Sequence, residues 1–132
     1  MAARGSKGTK TPQYFSIPCF PIPIFGGKVL LCCDRDEWAS VAEEYEGDPD
    51  SELCKGLSIR YLRPSEGRTY VMGVFDGSVE TFTHELAHIV FFLLHDVGIP
   101  VQDGEANEAY TYAIGFLMRE ILPSFLARIE TE

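Results

Sequence analysis

Residues 78–98 read SVETFTHELAHIVFFLLHDVG, a stretch whose apolar pattern changes partway along. Before His88 the apolar positions are spaced, at Val79, Phe82 and Leu86; after it, Ile89 to Leu94 is apolar without interruption. Spacings of three and four residues predict a helix from about Ser78 to Val97, buried in its C-terminal half because no side of the Ile89–Leu94 run is polar. Gly98 is placed to stop this helix, and Pro100 prevents its resumption. Ile89 to Leu94 is also the longest unbroken apolar run, far short of the roughly 20 residues that a membrane-crossing helix needs.

Working outward toward the N-terminus, Leu57 to Leu62 and Thr69 to Phe75 read as two strands. The turn-rich RPSEGR at 63–68 joins them as an antiparallel hairpin, and Gly77 ends the pair. KVLLCC at 28–33 reads as a short buried strand. Asp34 stands three residues before Glu37, a capping-box-like start for a helix through about Tyr45, with Trp38, Val41, Ala42 and Tyr45 on its inner face. EGDPDSE at 46–52 is a polar loop. Pro18, Pro21 and Pro23 forbid a helix and a central strand between Ile17 and Gly27, leaving an extended segment that lies on the domain. On the C-terminal side a second helix is expected from Glu105 to about Leu122, with Pro123 kinking or ending it and Ser124 to Ile129 forming a last amphipathic piece. The reading is a disordered basic tail over 1–12 and a single α+β domain over 13–132, without internal repeats.

Charge is unevenly spread over the 132 residues, whose net charge is −9. Residues 1–33 carry Arg4, Lys7, Lys10 and Lys28 and no acid, so the remainder holds all 20 acids against 7 bases. An acidic body argues against nucleic acid as a partner, because phosphate binding needs a basic face. The basic start reads as a solvated, mobile end rather than a binding arm, and no apolar segment of the secretory kind follows it. Cys19, Cys32, Cys33 and Cys54 contain no C-x-x-C pair, and neighbouring Cys32 and Cys33 suit neither a mutual bridge nor a shared tetrahedral metal. They are expected to be reduced thiols, mostly buried in or near a strand, in a cytoplasm.

The chemistry sits in His84-Glu85-Leu86-Ala87-His88, an H-E-x-x-H that uses two of the three histidines. Residues four apart share a helix face, their side chains roughly 6 Å apart, so both imidazoles can reach one tetrahedral zinc. Glu85 lies toward the edge of that face, where it can hold a water bound to the metal and take its proton as the water attacks a carbonyl. A catalytic zinc needs a third protein ligand and an open position. His95 and Asp96 lie too far along the same unbroken helix, the former by roughly 10 Å. Glu108 lies beyond the Gly98–Pro100 break on the next predicted helix, which can return antiparallel past the histidines. Glu105, one turn earlier on the same face, is its rival.

Asn107-Glu108-Ala109 following the H-E-x-x-H resembles the N-E-A segment of thermolysin-like peptidases, whose two-histidine, one-glutamate zinc site defines the gluzincins. The resemblance implies His84, His88 and Glu108 as zinc ligands and Glu85 as general base. It departs at Tyr112, where the thermolysin pattern has an aspartate supporting a histidine ligand. The match covers about residues 84–112. Over Tyr70 to Glu120, VFDG before the motif and N-E-A-Y-T-Y after it look like small zincin-like proteins of tailed bacteriophages. That implies a bacterial host cytoplasm and a minimal zincin-like domain: a small antiparallel or mixed sheet packed on the H-E-x-x-H helix and a following antiparallel helix.

On this reading Tyr70 to Phe75 is either an edge strand that pairs with extended substrate or simply an inner strand of the sheet. Tyr110 and Tyr112 sit at helical spacing that suits a core. Tyr112, one turn beyond Glu108, is the better choice for a phenol acting on the tetrahedral intermediate. The expected function is that of a zinc-dependent metallopeptidase acting on a peptide or protein, with no membrane partner. The alternative is a catalytically weak zinc-binding protein of zincin descent that serves as an interaction or phage-assembly module for a single protein partner.

Overall fold

Two apolar strands form the middle of a four-stranded mixed sheet. The computed structural model describes residues 14–101 and 107–131. Its strands are β1 (Cys19–Pro21), β2 (Lys28–Cys32), β3 (Gly56–Arg63) and β4 (Gly67–Val74), in the spatial order β1-β2-β4-β3. β2 pairs parallel with β4, while β1 on β2 and β3 on β4 are antiparallel. Among the described residues three helices complete an α+β domain: α1 (Arg35–Tyr45), α2 (Val79–Asp96) and α3 (Glu108–Glu130).

Helices cover both faces, which is why β2 and β4 read as continuous apolar runs rather than alternating ones. Val29 and Leu31 of β2, with Tyr70, Met72 and Val74 of β4, meet Phe82, Leu86, Ile89, Leu93, Leu117, Ile121 and Phe125 on the side of α2 and α3. Leu30, Cys32 and Val71 point to the opposite face and meet Trp38 and Val41 of α1.

The helix starts follow their caps. Asp34 accepts from Glu37 N at 2.8 Å, and the reciprocal bond of Glu37 goes to Cys33 N, also at 2.8 Å. Ser78 caps α2 through Thr81 N, and Gly98 ends it at φ +79°, a conformation that a Cβ would strain. α2 and α3 run antiparallel, because Phe82 packs on Phe125 and Phe91 on Tyr110, each with ring centroids 5.0 Å apart.

Several expectations change in detail. The proline-rich segment is extended, yet it joins the sheet: β1 is an edge strand, a place where proline's missing N–H costs little. Tyr70 to Phe75 has no free edge over β4, which is paired on both sides, so the inner-strand alternative holds and β3 is the edge strand beside it. Ile89–Leu94 is not buried all round, since Phe91 is half exposed beside Tyr110. Pro123 does not end the last helix, which runs unbroken to Glu130. It lies on the exposed side, and Ile121 and Phe125 anchor the turns around it in the core. That helix begins at Glu108; Glu105 and the 1–12 tail lie outside the described residues. Cys19, Cys32 and Cys54 are free thiols, and of the four cysteines only Cys32 is buried, while Cys19 is exposed. Burial, then the nearby Glu37 carboxylate, pushes the Cys32 thiol well above its ordinary range.

Candidate metal centre

The H-E-x-x-H occupies the second and third turns of α2. On this helix Leu86, Ile89, Val90 and Leu93 point into the core. His84 and His88 lie on the opposite, exposed flank, and their Nε2 atoms approach to 3.2 Å. Two nitrogens held tetrahedrally at zinc–nitrogen distances of about 2.1 Å stand about 3.4 Å apart, so the pair has the donor type and spacing of two zinc ligands.

Glu85 lies between that flank and β3 and is 6% exposed. An isolated carboxylate at such a position would be costly, and it is not isolated. The Ser58 hydroxyl donates to Glu85 Oε1 and lies 3.2 Å from the Glu85 carbonyl oxygen. The other carboxylate oxygen, Oε2, stands 4.0 Å from His84 Nε2. The carboxylate is thus anchored at one oxygen and faces the histidines with the other.

Beside this group lies a polar cavity of about 290 Å³ lined by Lys55, Gly56, Asp76, Glu80, Thr81, His84 and Glu85. Asp76 closes the base of α2. Burial opposes its charge, but the Thr81 hydroxyl and the Ser78 N–H and hydroxyl hold its carboxyl below the usual carboxylate range.

Glu108 and Tyr112 are not brought to this point. Glu108 is exposed at the first position of α3. Tyr110 packs on Phe91, one turn past His88, and in an antiparallel pair Glu108 lies further still toward the α2 C-terminus. The inward residues of α3 between its two ring contacts are Ala113, Leu117 and Ile121, which offer no ligand. Among the described residues no group of three His, Cys, Asp or Glu side chains is placed to hold a metal ion. Tyr112 is 75% exposed and lines a separate apolar cavity of about 500 Å³ with Ile22, Ile24, Phe25 and Phe116. His95 is exposed in the last turn of α2, clear of the pair.

Ser58 belongs to no motif in the sequence, although a signal for it is present. In β3, Leu57, Ile59 and Tyr61 alternate with Gly56, Ser58 and Arg60, a pattern that places the polar row in solvent. Instead the apolar row packs with Trp38 and Val41, while the polar row faces α2. There Ser58 meets Glu85 and Arg60 pairs with Asp96. A polar row opposite an H-E-x-x-H helix marks where a buried carboxylate is received.

No protein-family model, curated protein or solved structure matches the chain.

Proposed function

We propose that this chain is a minimal zinc-dependent peptidase of gluzincin type, akin to the small zincin-like proteins of tailed phages. The observation that carries the reading is one arrangement: two imidazole Nε2 atoms 3.2 Å apart, with the free oxygen of a buried, anchored glutamate 4.0 Å from one of them. A chance motif on a core helix would leave Glu85 in solvent; the two rings alone could also meet through a shared hydrogen bond, so the buried, anchored carboxylate beside them is what favours the metal reading.

His84 and His88 would hold the metal. The resemblance would assign the third position to Glu108, although this carboxylate stands exposed at the start of α3, away from the pair; Glu105, its rival by helix spacing, lies outside the described residues. When bound, zinc supplies Lewis-acid polarisation of a water and of the scissile carbonyl. Glu85 Oε2 takes a proton as the water oxygen bonds to the carbonyl carbon, and returns it to the amine nitrogen as the C–N bond breaks. The low exposure of Glu85 keeps competing water from solvating this carboxylate.

The exposure of Glu108 favours a second reading, a zinc-holding interaction or phage-assembly module of zincin descent. Metal analysis and cleavage separate the two. Purified protein is expected to carry one zinc, lost in His84→Ala, and to cleave a pool of internally quenched peptides. Glu85→Gln keeps the zinc and loses the cleavage. Comparing zinc content in Glu105→Gln and Glu108→Gln identifies the third ligand. Zinc without cleavage of the pool or of a co-expressed partner supports the module; zinc content unchanged by His84→Ala ends both readings.

A further inference from the structure

We infer that Ser58 is a positioning residue: from the edge strand β3 it holds Glu85 in the one orientation that turns Oε2 toward His84. The inference rests on the reading of Glu85 as the general base.

Three observations lead there. Ser58 stands opposite Met72 in the register of β3 on β4, in a row that elsewhere on this sheet face is Val29, Leu31, Tyr70, Met72 and Val74. A hydroxyl in such a row is costly unless it is hydrogen-bonded, and the Ser58 proton has two acceptors in reach, the Glu85 carboxylate and the Glu85 carbonyl oxygen at 3.2 Å. The charged acceptor gives the stronger bond, so it fixes the hydroxyl proton on Oε1. That leaves Oε2 for the reacting water.

The third observation is Gly56, two residues earlier in the same row. A Cβ there would stand 2.6 Å from Thr81 Cγ2, 2.7 Å from the Gly73 carbonyl oxygen and 2.9 Å from Glu85 Cγ. The strand is therefore pressed against the turn of α2 that carries Glu85, and the side chain is confined from below. Confinement at Cγ and a bond at Oε1 together remove rotamers that a free glutamate would explore. A base held in its working orientation loses less entropy on the way to the transition state. Ser58 thus serves the proton transfer without touching the substrate.

The test uses full-length wild type, Ser58→Ala, Ser58→Thr, Glu85→Gln and the Ser58→Ala/Glu85→Gln double variant, each loaded with zinc or cobalt(II). Four readings are taken: metal content, melting temperature, the visible cobalt bands at one fixed pH, and kcat and KM on the best-cleaved peptide of the quenched pool. Ser58→Ala is expected to keep its metal, lower kcat by about tenfold with KM within about twofold, and shift the cobalt bands toward those of Glu85→Gln. Ser58→Thr restores both, and Ser58→Ala adds nothing to the bands once Glu85 is gone. Wild-type kcat and bands in Ser58→Ala overturn the inference, as does a band shift of equal size with and without Glu85. No metal in the wild type overturns the zinc reading and this one with it. A metal-loaded wild type that cuts nothing ends the peptidase reading, and the cobalt bands then decide Ser58's hold on Glu85 by themselves.

Discussion

His84 and His88 are one turn apart on a rigid helix, so their convergence costs little conformational entropy beyond two side-chain torsions. Removing either leaves the other unable to hold zinc alone. His84→Ala should abolish the zinc-dependent rise in melting temperature while leaving the metal-free melting temperature near wild type, because the ring is exposed and supports no core contact. Paired scans with zinc and with chelator check this. Tyr70 provides a second test at this scale. Burial pushes its phenol up to about 12, and the Asp96 carboxylate that accepts its proton adds to the rise, while Arg68 donating to the phenol oxygen offsets part of it. The folded state therefore keeps this proton where the unfolded chain, with a phenol near 10.0, has released it. The sign follows: stability is full below the unfolded value and falls as pH rises toward the folded one. Tyr70→Phe should reduce the alkaline loss of stability by up to about 1.4 kcal/mol per pH unit across that window, measured by urea unfolding. Tyr14 and Tyr61, also raised, keep some of the slope in the variant.

The contact of β3 with α2 sets the site at the level of elements. Ser58 and Arg60 reach Glu85 and Asp96, which lie on the side of the helix turned to the strand, and Arg60 also lies over the Phe92 ring. The strand can come this close only where Gly56 has no Cβ. Gly56→Ala should cost about 1–3 kcal/mol by overpacking, since one obstacle is the Gly73 carbonyl and cannot swing aside. Urea unfolding measures the loss, and the same variant should shift the cobalt bands by displacing Glu85. The boundaries of these elements were legible in local chemistry. Asp34 and Ser78 announce two helix starts, Gly98 announces a stop, and the hairpin is marked by the turn residues between Arg63 and Gly67. Of the two outcomes expected of Pro123, the helix end does not occur, because the cost of proline is local, whereas the burial of Leu117, Ile121 and Phe125 acts over about two turns and outweighs it.

Across the whole molecule, the C-terminal helix is tied back to the first one. Arg128 donates to Glu37 Oε2 at 2.7 Å and to Asp34 Oδ2 at 2.9 Å, joining segments more than 90 residues apart. The same two acids cap and complete the start of α1. Arg128→Ala should cost about 1 kcal/mol, reduced further by salt, because these side chains are partly solvated. Thermal scans at low and high ionic strength test both parts. Zinc at about 100 times its Kd should add about 2.7 kcal/mol if it binds only the folded chain.

Local periodicity and capping, read from the residues alone, determined the α+β class, the hairpin, the α2 helix and the shared face of His84 and His88, because each depends on neighbours within a few positions. Which strand lies at the edge, that Glu85 is the buried member of its motif, and that Ser58 receives it were decided only when the sheet closed against α2. Glu108 fell outside the histidine group for the same reason. Its distance from His88 depends on where Phe91 and Tyr110 set the register of two helices, and no local pattern in either segment encodes that offset.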